Sequence, residues 1–142
     1  MADKDLASLI DCEFAIAPAV ETGNTAHVSS IIDTKGFESL TFAIIVGTMN
    51  DSGAEVTPSF RHGDNSALTD AAVPKDGEDT IGTIAACTVD QDDDNEVRWI
   101  GYVGKKRYVE ITLTPTNNAG NIPLAVIAIK GNATSNPTTL DT

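Results

Sequence analysis

Residues 96–114 read EVRWIGYVGKKRYVEITLT. Two apolar-rich runs, 97–103 and 107–114, flank Gly104, Lys105 and Lys106, a spacing that predicts a β-hairpin. In the second run Val109, Ile111 and Leu113 alternate with Tyr108, Glu110, Thr112 and Thr114. That is the period-two pattern of a strand with one dry face. The turn itself is unusual for this chain. Nine Lys and Arg stand against 21 Asp and Glu among 142 residues, for a formal net charge of −12. Three of the nine cations, Lys105, Lys106 and Arg107, are nevertheless consecutive here.

Working outward from the hairpin, the rest of the chain also reads as strands and turns. Residues 39–49, SLTFAIIVGTM, place Leu40, Phe42, Ile44 and Val46 on one face and Thr41, Ala43 and Ile45 on the other. With both faces rather apolar, this run is expected as a central strand of a sandwich. HVSSIID (27–33) predicts a strand before it. NDSG (50–53) is a turn signal, and Pro58 marks the following run, 54–63, as an edge or bulged strand. Residues 63–96 are mostly polar, with short strand signals near 68–73 and 81–89. IPLAVIAIKG (122–131) supplies a last buried strand. Seven or eight short strands, Gly/Asn/Asp-rich turns and no internal repeat predict a single all-β domain. Its expected form is a β-sandwich of jelly-roll-like or immunoglobulin-like topology over residues 28–131. Residues 1–27 read as an N-terminal arm, extended or with a short helix over 6–14. Residues 132–142 read as a polar C-terminal tail.

Composition narrows the function. Net charge −12 argues against direct nucleic-acid binding, which needs a broad positive footprint. No apolar run approaches the roughly 20 residues of a membrane-crossing helix. The first residues carry acids where a secretory signal carries cations, so synthesis in a cytoplasm is expected. Cys12 and Cys87 are then expected as reduced, small buried hydrophobes. His27 and His62 have no partner at metal-ligand spacing. Neither a nucleophile elbow nor a phosphate-cradling loop is present. Arg61, His62, Gly63 and Asp64 hold a cation, an imidazole and a carboxylate in succession, but neighbours along one loop rarely converge on one substrate. The reading is of a protein that is not an enzyme and that uses no cofactor or metal.

Charged loops are what remain. DQDDDNE (90–96) carries Asp90, Asp92, Asp93, Asp94 and Glu96. Alternate acids suit the first ligands of a calcium loop, yet its sixth and twelfth positions hold Asn95 and Gly101 instead of Gly and Glu. Lys105, Lys106 and Arg107 have two readings: turn lysines that solubilise an edge, or a contact for an acidic surface. The acidic run cannot reach them along the intervening strand. Seven residues at about 3.3 Å separate the two by roughly 23 Å, beyond the ~8–10 Å screening length of ordinary salt. Another loop of the chain, a second subunit or a larger assembly would have to supply the counter-charge. The acidic residues of 90–96 on a neighbouring subunit are a candidate.

Taken together, SSIIDTKGFESLTFAIIVG, the acidic middle, VRWIGYVGKKRYVEITLTPT and the closing strand into GNATSNP resemble small head proteins of tailed bacteriophages. The likeness spans about residues 28–137, with IGYVGKKRYVEI its most specific part. The resemblance implies a capsid decoration (cement) or minor head protein on the virion exterior, a homotrimer that bridges major capsid subunits and stabilises the shell. A spike or fibre component with a carbohydrate- or receptor-binding sandwich is the alternative. Trp99, Tyr102 and Tyr108 are its candidate aromatics, although Trp99 and Tyr102 stand at opposite parity on one strand.

Overall fold

The computed structural model of the chain describes residues 5–134; from residue 135 on, the expected polar tail lies outside the described residues. Among the described residues ten strands form: β1 (Ile10–Glu21), β2 (His27–Val28), β3 (Ile32–Asp33), β4 (Phe37–Val46), β5 (Glu55–Gly63), β6 (Thr80–Ile81), β7 (Val89–Asp90), β8 (Val97–Tyr102), β9 (Tyr108–Thr116) and β10 (Ile122–Ala133). They build two antiparallel sheets packed face to face. Sheet A runs β1-β10-β4-β8-β6, and sheet B runs β2-β9-β5-β7, with β3 also on β9. If β2 and β3 count as one interrupted strand and the two-residue β6 is set aside, the eight strands follow the order of a jelly roll.

Inward alternation makes the core. Leu40, Phe42, Ile44 and Val46 of β4, Ile100 and Tyr102 of β8, and Leu124, Val126 and Ala128 of β10 form the inner face of sheet A. Val56 and Phe60 of β5 oppose them from sheet B, with Val109, Ile111 and Leu113 of β9. Phe42 and Phe60 meet across the interface with ring centroids 5.5 Å apart. The central placing expected for residues 39–49 holds, since β4 pairs with β10 on one side and β8 on the other.

Pro58 sits where its missing N–H costs nothing. His62, four residues on and at the same parity, turns its N–H and C=O away from β9 to bond Ala72. The backbone nitrogen of Pro58 therefore also points away from β9, beyond the short stretch Glu55–Val56 that β7 covers.

In place of the short strands expected near 68–73 and 81–89 there are a single bridge at Ala72 and, between β6 and β7, a 3-10 turn at Ala85–Cys87. Two further expectations need correction. Residues 96–114 are not a hairpin. β8 pairs with β4 and β6 in sheet A, whereas β9 pairs with β5, β2 and β3 in sheet B. Residues 103–107 thus carry the chain from one sheet to the other. Both runs have one dry face, and two dry faces can lie side by side in one sheet or face each other across a core. The link lacks the Asn-Gly or Asp-Gly pair that forces the first outcome. The second correction is the arm. Over residues 10–21 it is an edge strand of sheet A, paired with β10 from Ile10–Gly131 to Glu21–Ile122 and burying Ala15 and Ile16. Register shifts between Phe14 and Ile16 and between Ile16 and Ala19 break its period-two pattern, which hides the strand in the sequence.

The strand expected over 27–33 divides at Ser29. The Ser29 hydroxyl takes the Ile111 N–H at 3.0 Å and donates to the Ser30 carbonyl at 2.7 Å, so a side chain replaces one rung of the ladder.

Phe42 is fully buried at the centre of the layer. Phe42→Ala is expected to cost about 3–5 kcal/mol. Urea unfolding checks this as a lower midpoint at an unchanged slope.

Candidate functional site

The basic turn finds its counter-charges within the chain. Lys106 Nζ lies 2.8 Å from Asp64, and Arg107 binds Asp33 through Nε and Nη2 at 2.8 Å each. Thr34 donates its N–H and its hydroxyl to the Arg107 carbonyl. Tyr102, at the end of β8, contributes from below. Its hydroxyl is 2.8 Å from His62 Nδ1 and accepts the Lys106 N–H at 3.2 Å. A Cβ on Gly104 would stand 2.5–2.7 Å from the Tyr102 ring, so the chain passes here only with glycine. The cluster ties the 103–107 crossover to Asp33 of β3 and to Asp64 just after β5, both on sheet B, and to Tyr102 of β8 in sheet A. Lys105 makes no ion pair among the described residues and remains exposed.

The electrostatics follow from these contacts. The Arg107 guanidinium, hydrogen-bonded to Asp33, holds that carboxyl down to about 2. Lys106 lowers Asp64 in the same way and is itself raised. Burial pushes the Tyr102 phenol up to about 12. Pairs this exposed add little to stability, so their main effect is to orient the crossover.

The acidic run divides into separate tasks. Asp90 accepts the Asp92 N–H at the start of a short 3-10 turn, Gln91–Asp93. Asp93 and Glu96 each lie 3.2 Å from the Arg98 guanidinium, and Asp94 accepts the Met49 N–H at 2.9 Å. Among the described residues, no group of three or more His, Cys, Asp or Glu side chains is placed to hold a metal ion.

The remaining residues singled out in the sequence go to separate places. His27 pairs with Glu21 at 2.6 Å, and Arg61 with the buried Glu110. His62 is buried against Tyr102. Cys87 is buried, but Cys12 is exposed, contrary to the expectation for both; neither forms a disulfide. Trp99 and Tyr102 do face opposite ways, at 70% and 5% exposure.

The feature that residue-by-residue reading missed is the outer face of sheet A. Its side chains lie in rows across the strands: Trp99, Ala43, Ile127 and Phe14; Val97, Ile45 and Ala125; and Ile81, Gly101, Thr41, Ile129 and Cys12. None of these residues is charged, in a chain whose residues are 21% charged. Trp99, Phe14, Ile81 and Val97 are each about half exposed or more. Asp11 and Glu13 of β1 take the opposite parity and turn to Lys130. Beside Phe14, a groove of about 430 Å³ runs between Phe14, Pro18 and Val20 on one side and Ile45, Pro123 and Ala125 on the other. The outer face of sheet B differs, carrying Thr57, Ser59, Thr112, Thr114 and the Arg61–Glu110 pair. One signal was available in the sequence: the second apolar face of residues 39–49. A sandwich buries only one face of each sheet, so a central position in the sheet does not cover the other.

No protein-family model and no curated protein matches the chain. Among solved structures, it aligns with the CBM22-1–GH10 modules of the Clostridium thermocellum endo-1,4-β-D-xylanase 10B, a structure complexed with xylohexaose. The identity is 17% and the TM-score 0.37, over 81% of this chain and 20% of that one. So loose an overlap transfers neither a site nor an activity.

Asp33, Asp64 and Glu21 are all lowered in the folded state, through Arg107, Lys106 and His27 respectively. Carboxylates held below their unfolded values stabilise the fold above those values and lose that contribution as the pH falls. For Asp33 the loss is expected between its ordinary 3.8 and about 2. Thermal unfolding from pH 5 downward should show the midpoint falling, and falling less steeply in Asp33→Asn. Identical slopes would exclude this contribution.

Proposed function

We propose that the chain is a structural, non-catalytic protein of a bacteriophage capsid, decorating its exterior and bracing it by bridging major capsid subunits. The observation that carries an adhesive role is the uncharged outer face of sheet A. A contiguous apolar surface of this extent is costly to leave in water and is the usual mark of a protein contact. The phage-head likeness of residues 28–137 supplies the setting. In that setting many copies would act together, so modest individual contacts sum to firm attachment. Lys105, the cation of the turn that has no ion pair among the described residues, is available to an acidic neighbour at the rim of such a contact.

A glycan-binding role fits the face less well. Trp99 offers a stacking surface, but its neighbours Ala43, Ile127 and Val97 have no side-chain hydrogen-bonding groups to orient a sugar.

Mixing the purified chain with capsids of the phage that encodes it, stripped of this protein, provides the test. The chain is expected to co-sediment and to raise the temperature at which the capsids release their DNA. A chain that stays in the supernatant with well-formed capsids would refute the proposal.

A further inference from the structure

We infer that the outer face of sheet A is covered by a second copy of this chain, in a twofold face-to-face pair. The inference rests on the adhesive reading of that face and names its occupant; contact with the capsid then falls to the remaining surfaces of the pair.

Three observations point to self-association. The first is charge. A partner for this surface must bring no unpaired carboxylate into it, because a buried charge without a counter-charge is strongly disfavoured. The face itself meets that requirement, although the chain as a whole carries a net charge of −12.

The second is area. Four strands at about 4.8 Å give a width of about 19 Å, and strand lengths of six to twelve residues average roughly 30 Å. Each copy would then contribute about 600 Å² in projection, and the pair about 1,200 Å², where stable specific interfaces begin.

The third is shape. Trp99 projects from β8 at 70% exposure, and the groove opens beside Phe14 of β1. Trp99, Ala43, Ile127 and Phe14 occupy one row, so the knob and the Phe14 wall of the groove lie three strand spacings apart, about 14 Å. A twofold axis parallel to the strands, running between β4 and β10, would set each Trp99 over the groove wall of the other copy. One face meeting its own copy, Trp99 against the Phe14 wall on both sides, makes an isologous contact, closed at two copies. The threefold implied by the phage-head likeness would have to use other surfaces. The densest acidic loops of the two copies do not meet in this pairing. The two acidic loops would sit about 14 Å apart laterally and about 10 Å vertically, roughly 17 Å in all and beyond the ~8–10 Å screening length.

Sedimentation velocity of the full chain, from about 1 to 100 µM, tests the inference. Fluorescence of Trp99, the only tryptophan, reports on the same equilibrium. The expected species has twice the 14.9 kDa chain mass, and dilution should red-shift the emission as it dissociates. Trp99→Lys and Ile127→Lys change side chains on the outer face, outside the core, so the fold should survive, as circular dichroism would show. Each should weaken pairing by about 100-fold or more. A monomer at every concentration would overturn the inference, as would a dimer or trimer indifferent to both substitutions. A monomer with blue-shifted Trp99 emission would also overturn it, by placing another part of the same chain over the face. If a monomeric chain still binds capsids and loses that binding in Trp99→Lys, the inference fails and the decoration reading stands. If capsid binding is absent as well, both fall.

Discussion

Phe42 on β4 and Phe60 on β5 touch across the gap between the two sheets at 5.5 Å, surrounded by Ile44, Ile100, Val109, Ile111, Leu113 and Val126. This dry layer is the constraint under which the rest of the molecule is arranged. Few aromatics are available to fill it, so branched aliphatic side chains from both sheets must interdigitate along most of each strand. A jelly roll supplies that by sending the chain back and forth between the sheets, as from β4 to β5, β8 to β9 and β9 to β10. Each such connection must then span the thickness of the sandwich without leaving buried backbone unpaired. The 103–107 crossover shows how. Tyr102 reaches down to His62 and up to Lys106, and Arg107 and Lys106 fasten the loop to Asp33 and Asp64.

The same constraint sets the difference between the outer faces. Once the inner faces are matched, nothing in the fold requires the outer side chains to be apolar. Sheet B follows the ordinary pattern, with Thr, Ser and a paired Arg and Glu facing outward. Sheet A keeps aliphatic and aromatic groups there, with its carboxylates at Asp11 and Glu13 directed to Lys130. Fold stability does not account for this asymmetry. The contact proposed above would, and the Trp99 knob and the groove at Phe14, three strands away, give the face a definite relief.

Reading the residues in order reached some of this and missed the rest for identifiable reasons. β4 was legible as central because both of its faces, Leu40 to Val46 and Thr41 to Ile45, are rather apolar. β1 was not, since two bulges and Pro18 disturb its alternation. The counter-charges of the basic turn, Asp33 and Asp64, stand 74 and 42 residues away from their partners. No local pattern links an acid in IIDTKG or RHGD to a cation in GKKR. The opposite facing of Trp99 and Tyr102, by contrast, depends only on parity along one strand and was readable directly.

Residue order alone established that these segments are strands with one dry face and that they stack in layers, because alternation is a property of neighbours along the chain. Three-dimensional packing alone settled which strands share a sheet, that residues 96–114 cross between sheets, and that uncharged side chains from five strands join into one face. Those outcomes depend on contacts between residues far apart in the chain. Such contacts are selected by the shape and burial of the whole, which no short window of sequence contains.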